Sequence, residues 1–80
     1  MHELGVLLQA VKTAANAAQT NNIPHIKHLT LEVGTESGFV PVFFEKLWPV
    51  ATENFPVMSG AQLRIEKSPG TNLIIKEIGY

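Results

Sequence analysis

The sequence predicts an α+β domain of two layers, a three-stranded sheet with two helices packed on one face. The expected order is helix, strand, helix, strand, strand. Three observations lead there. Apolar residues recur at three- and four-residue spacing near the start, they alternate with polar ones in three later segments, and a second helical pattern opens on a proline.

The first helix is carried by Leu4, Leu7, Leu8, Val11, Ala14, Ala15 and Ala18, with Gln9, Lys12, Thr13, Asn16 and Gln19 on the opposite side. Gly5 weakens its first turn slightly. Asn21-Asn22 supplies a stop and Pro24 forbids continuation. In the next segment His28, Thr30 and Glu32 alternate with Leu29, Leu31 and Val33, as a half-buried strand requires. Residues 34–38 read as a loop. Pro41 suits the first turn of a second helix, whose apolar face is Phe43, Phe44, Leu47, Trp48, Val50 and Ala51. Pro49 inside that pattern predicts a kink or an end near Trp48. Ala61, Leu63 and Ile65 mark a second strand and Leu73 to Ile78 a third. The turn between them, Ser68-Pro69-Gly70-Thr71-Asn72, is short enough to predict that the last two strands pair as an antiparallel hairpin. No repeat or linker divides the chain, so residues 1–80 are expected to form one domain.

Composition narrows the function. The 80 residues are 45 % hydrophobic, and a chain of this size buries only about 60 % of its unfolded surface. With no cysteine there is no disulfide, no thiolate zinc site and no cysteine nucleophile. So small a core without covalent support makes a homo-oligomer an expectation. The six Lys and Arg are scattered and the net charge is −1, which argues against a nucleic-acid partner. No apolar run approaches the ~20 residues of a membrane span, and the start lacks the basic residues of a secretory signal. No membrane partner is expected, and the expected compartment is the cytoplasm.

Met1-His2 is the most informative pair. A free α-amine, the His2 peptide nitrogen and the His2 imidazole can close two small chelate rings on one ion. Three nitrogens lying nearly in a plane suit square-planar Ni(II) or Cu(II) better than tetrahedral Zn(II). The bulk of His2 disfavours removal of Met1, and Glu3 can add an oxygen donor or orient the imidazole. A solvated tail is the bland alternative.

Met1-His2-Glu3-Leu4 followed by this helix resembles the HypA/HybF family of hydrogenase-maturation nickel chaperones. The likeness continues through Leu31-Glu32-Val33-Gly34 and Ser37-Gly38-Phe39-Val40-Pro41. It returns at residues 60–66 and in the closing strand, Leu73 to Ile78. The resemblance implies that Met1, through its amine, and His2 bind nickel while Glu3 supports the site. It also implies a nickel-loading GTPase and the hydrogenase large subunit as partners, with urease maturation served in some bacteria. Two departures stand out. Members of the family carry a cysteine-based zinc domain between the last two strands, which residues 67–72 replace here with a short turn, so no zinc is expected. The family also tends to have an acidic residue around Pro41, where this chain has Val40 and Val42 and the nearest preceding carboxylate is Glu36. A metal-free protein–protein interaction module descended from that family is therefore the alternative.

Other constellations have plainer readings. His25 and His28 have a metal-like spacing, but residues three apart on an extended chain face opposite ways, so both are expected at the surface. Phe43, Phe44, Trp48 and Phe55 are better explained by packing than by a ligand pocket. Gly34 to Gly38 match no phosphate loop, and Ser37, Ser59 and Ser68 have no base in a recognisable pattern. No enzyme is expected.

Overall fold

The computed structural model describes residues 2–80. Its elements are α1 (Glu3–Thr20), β1 (His28–Gly34), α2 (Pro41–Thr52), a 3-10 turn (Pro56–Met58), β2 (Gln62–Ser68) and β3 (Leu73–Gly79). The order is the expected one, and both helices contribute to one core with the apolar side of the sheet.

The buried face of α1 consists of Glu3, Leu7, Ala10, Val11, Ala14 and Ala18. Leu4 and Leu8, which the apolar pattern places on that face, lie at its margin and are exposed. A helical apolar stripe is broad enough to be centred in more than one way, and packing chose the Leu7 row. At the far end the Ala17 carbonyl accepts from the Asn21 backbone N–H and from its side-chain Nδ2. Asn22 then turns left-handed at φ 57, and Ile23 N–H donates to the Ala18 oxygen at 2.8 Å. Asparagine tolerates that conformation, so Asn21-Asn22 is the stop its residue types suggest.

The sheet corrects one expectation. β2 and β3 do not form a hairpin; the strand order is β2-β1-β3, with β1 in the middle. β1 runs parallel to β2, pairing Leu29 with Leu63 and Leu31 with Ile65. It runs antiparallel to β3, pairing Leu29 with Ile78, Leu31 with Ile75 and Val33 with Leu73. β1 has the strongest claim to the centre, since Leu29, Leu31 and Val33 are all buried. Thr30, on the other side of the strand, is buried as well, so β1 is more than half-buried. The β1–α2–β2 connection is the helical crossover that a parallel pair needs.

β3 reaches the same core through an irregularity. Its apolar residues Leu73, Ile75 and Ile78 do not keep a strict period of two. The register shifts between Thr30 and Leu31, which face Glu77 and Ile75, so Lys76 is an extra residue in a bulge. The bulge turns Ile78 inward and Glu77 outward. Lys76 itself pairs with Glu66 on the open side of the sheet, which raises its pKa above the usual lysine value.

The β2–β3 turn arches over the end of β1. Gly34 N–H donates to the Asn72 oxygen, Thr35 N–H to Ser68 and Glu36 N–H to Gly70, at 2.7 to 2.8 Å. A Cβ on Gly34 would stand 2.3 Å from the Gly70 oxygen, so the arch requires glycine there.

α2 starts on Pro41 as expected but continues through Pro49 to Thr52. The early end near Trp48 is not found. Pro49 has no N–H to give the preceding turn, while the Thr52 hydroxyl donates to the Trp48 carbonyl at 2.9 Å in the last turn. Trp48 Nε1–H donates to the Ala61 carbonyl at 2.9 Å and ties α2 to the start of β2. The 3-10 turn has no periodic signature in sequence, yet it buries Met58 completely.

Candidate functional site

The N-terminal end of α1 is built from three layers of constraint. His2 is the N-cap residue, exposed, and its carbonyl accepts the first helical bond from Val6 N–H at 3.1 Å. Its imidazole makes no capping bond. Glu3, the first helical residue, is only 3 % exposed although it is a carboxylate. It lies in the first turn, where the helix dipole favours negative charge. Its Oε2 accepts from the backbone N–H of Val40 at 3.1 Å, which joins the start of α1 to the start of α2.

The loop that brings Val40 there is itself braced. Ser37 Oγ donates to the Gly34 carbonyl at 2.7 Å and accepts from Phe39 N–H at 3.3 Å. Gly38 takes the left-handed conformation at φ 83 between them. The Phe39 ring then packs on Phe44, with centroids 5.7 Å apart.

Of the three residues singled out for metal, His2 and Glu3 are thus placed at one end of the helix pair, and Met1 lies outside the described residues. Among the described residues no three histidine, cysteine, aspartate or glutamate side chains converge as a metal cluster. Glu36, the nearest carboxylate before Pro41 along the chain, is exposed in the loop.

The other two histidines differ in their surroundings. His25 is exposed. His28, expected at the surface, is largely covered, with 17 % of its side chain exposed. Its Nε2 lies 3.0 Å from Glu77 Oε1, and its ring lies across Gly79, where a Cβ would be 1.9 Å from Cε1. The cause is cross-strand pairing of His28 with Gly79, which no local spacing reveals. The aromatic residues mostly serve the core. Phe44 is fully buried, Phe55 and Trp48 pack against the core, and Phe43 remains exposed. Shallow hollows between α1 and β3, and beside the 3-10 turn, are lined by apolar, amide and hydroxyl side chains without titratable groups. No helix among the described residues is long and apolar enough to cross a membrane.

A mixed three-stranded sheet under two helices, with a buried glutamate joining the helix starts, defines a small α+β domain of one recognisable kind. The solution structure of the Ni metallochaperone HypA from Helicobacter pylori has the same fold. The TM-score is 0.78 at 18 % identity, covering 96 % of this chain and 72 % of that one. The chain belongs to the HypA family: the family model described as hydrogenase/urease nickel incorporation, metallochaperone, HypA matches residues 1–73. Among curated relatives, the hydrogenase maturation factor HypA of Trichodesmium erythraeum is 40 % identical over 70 residues, and that of Deinococcus radiodurans 31 % over 70 residues. Each alignment covers 88 % of this chain, and the chain spans 58 % of each relative's length.

Proposed function

We propose that this chain carries nickel for the maturation of a nickel enzyme, holding the ion through the Met1 amine and the His2 imidazole. The observation that carries the proposal is the placement of His2. It is exposed at the N-cap of α1, makes no capping bond, and stands directly before a glutamate anchored in the fold. An exposed donor can exchange its metal without opening the core, as delivery demands. Membership of the HypA family supports nickel as the cargo, and hydrogenase, with urease as a second client, as the destination. A nickel-loading GTPase and the hydrogenase large subunit are the proposed partners, and the cytoplasm the proposed compartment.

The zinc domain is proposed to be replaced by the Lys67–Asn72 connection. In support, the chain has no cysteine, and that connection is a folded turn hydrogen-bonded to residues 34–36. The alternative of a metal-free interaction module draws on Val40 and Val42, which flank Pro41 where a carboxylate could have completed the ligand set.

Calorimetric titration with nickel separates the two. Protein with a native amine should bind, and the same protein extended by one N-terminal residue should not. His2→Ala should lose tight binding and keep its far-ultraviolet circular dichroism. Equal binding by the native and extended forms would remove the amine from the site. No binding by the native form would leave the interaction module.

A further inference from the structure

Each helix keeps an apolar row outside the core, and the two rows face each other. On α1, Ala15 and Gln19 border a hollow with Phe55, Pro56 and Val57, so this flank looks toward α2 and the turn that follows it. Leu4 and Leu8 stand on the same flank at helical spacing, while Val6, Ala10 and Thr13 look the other way, onto β3. On α2, Trp48 is bonded to the Ala61 carbonyl at the start of β2. The opposite flank, Phe43, Leu47 and Val50, therefore looks toward α1. The helices pack side by side. Leu4, Leu8, Phe43 and Val50 are 36, 38, 44 and 51 % exposed, and with half-buried Leu47 they border one open seam. Lys12, one turn beyond Leu8, and Lys46, between Phe43 and Val50, are exposed along its two outer margins. The two carboxylates of these helices lie elsewhere: Glu3 is buried, and Glu45 shares the Trp48 flank.

We propose that this seam docks an amphipathic helix of a partner protein, one whose apolar face is flanked by acidic residues. The occupant is a helix because the backbone groups of α1 and α2 are bonded within each helix and offer a strand nothing to pair with. Side chains spaced i, i+3, i+4 and i+7 on a third helix fit the groove between two neighbouring ones. The acidic flanks follow from Lys12 and Lys46, which would meet them on either side. The same lysines disfavour a second copy of this chain, since a two-fold pair would set two lysine-edged seams against each other with no carboxylate to offset them. A helix docked here lies beside the His2 end of α1. The proposal does not depend on nickel, and either reading can fail without the other.

The test is a titration of the full, metal-free chain with a synthetic helical peptide of about four turns, followed through its amide resonances. The peptide carries leucine at i, i+3, i+4 and i+7 with glutamate on both flanks, and a second peptide has lysine in place of glutamate. The acidic peptide should shift Leu4, Leu8, Phe43, Leu47 and Val50 and leave β3 unmoved. It should bind at least tenfold more tightly than the basic one, and less tightly as salt is raised. Leu8→Gln and Phe43→Gln, both at exposed positions, should each weaken it roughly tenfold. Lys12→Glu with Lys46→Glu should reverse the preference, and capture of the basic peptide by that variant shows that it remains folded. Equal binding of the two peptides, shifts centred on β3, or no binding would overturn the proposal. So would concentration-dependent self-association abolished by Phe43→Gln, which makes the seam an interface between copies. Binding to anionic lipid vesicles that Leu8→Gln abolishes, without binding of the acidic peptide, would assign the seam to a membrane surface and overturn it too.

Discussion

Gly34 and Gly5 show how differently one residue type can be constrained. At Gly34 the β2–β3 turn crosses so closely that a Cβ would press on the Gly70 and Asn72 oxygens, both of them backbone atoms. Gly34→Ala must push the arch away, along with the bonds from residues 34–36 that hold it. A cost of about 1–3 kcal/mol follows, comparable to overpacking a core. Gly5 lies on an exposed side of α1 with nothing within 4 Å of a Cβ. Gly5→Ala should stabilise by about 0.5–1 kcal/mol, through helix propensity alone. Urea denaturation of the two variants beside the parent measures both, and the shifts should have opposite signs. Neither glycine announces its environment in sequence. The one at position 34 is bound by residues far along the chain, and the one at position 5 by nothing. The candidate site has the same character. His2 could be singled out from its place beside the terminus, whereas the attachment of Glu3 to Val40 spans 37 positions and appears only in the fold.

Among the elements, the helices were the most legible. Periodicity, Pro41 and the paired asparagines are local signals, and α1 and α2 form where those signals lie. Pro49 misleads because its penalty is local while its compensation is tertiary. Leu47, Trp48 and Ala51 pack on the core from the turns around it, so α2 continues. β3 carries the opposite lesson. Its broken alternation looks like a defect until Lys76 is recognised as the bulge that brings Ile75 and Ile78 to the same side. Deleting Lys76 restores strict alternation, with Leu73, Ile75 and Ile78 inward and Glu77 outward. That variant should fold cooperatively with a thermal midpoint close to the parent's. Deleting Ile74 instead throws Leu73 out of phase, and leaving such a side chain outside the core costs about 1.5–3 kcal/mol. Thermal denaturation followed by circular dichroism compares the two deletions. Equal losses would show that the bulge has a role beyond register.

At the scale of the molecule, the central strand joins everything. β1 is hydrogen-bonded on both sides and underlies both helices, while β2 and β3 are edges. Amide exchange should therefore be slowest at Leu29 to Val33, approaching the rate set by global unfolding. The outward edges of β2 and β3 should exchange through smaller openings. Hydrogen–deuterium exchange read by NMR tests this, and faster exchange in β1 than in β3 would contradict the strand order. The same order places the end of β1 beneath the β2–β3 connection, and the braced loop after β1 delivers Val40 to Glu3. The start of α1 is thus held by a chain of contacts that begins at the centre of the sheet.

By itself, the sequence determined the number and order of the α-helices and strands, the stop after α1, the start of α2 and the family to which the chain belongs. These depend on spacing and residue type within short stretches, where neighbours along the chain are neighbours in space. Only the tertiary structure decided which strand is central, that β2 and β3 lie apart, that His28 covers Gly79, and that Glu3 is tied to Val40. Each of those is a choice among partners distant along the chain. It is settled by which arrangement buries the most apolar surface while leaving every backbone donor an acceptor.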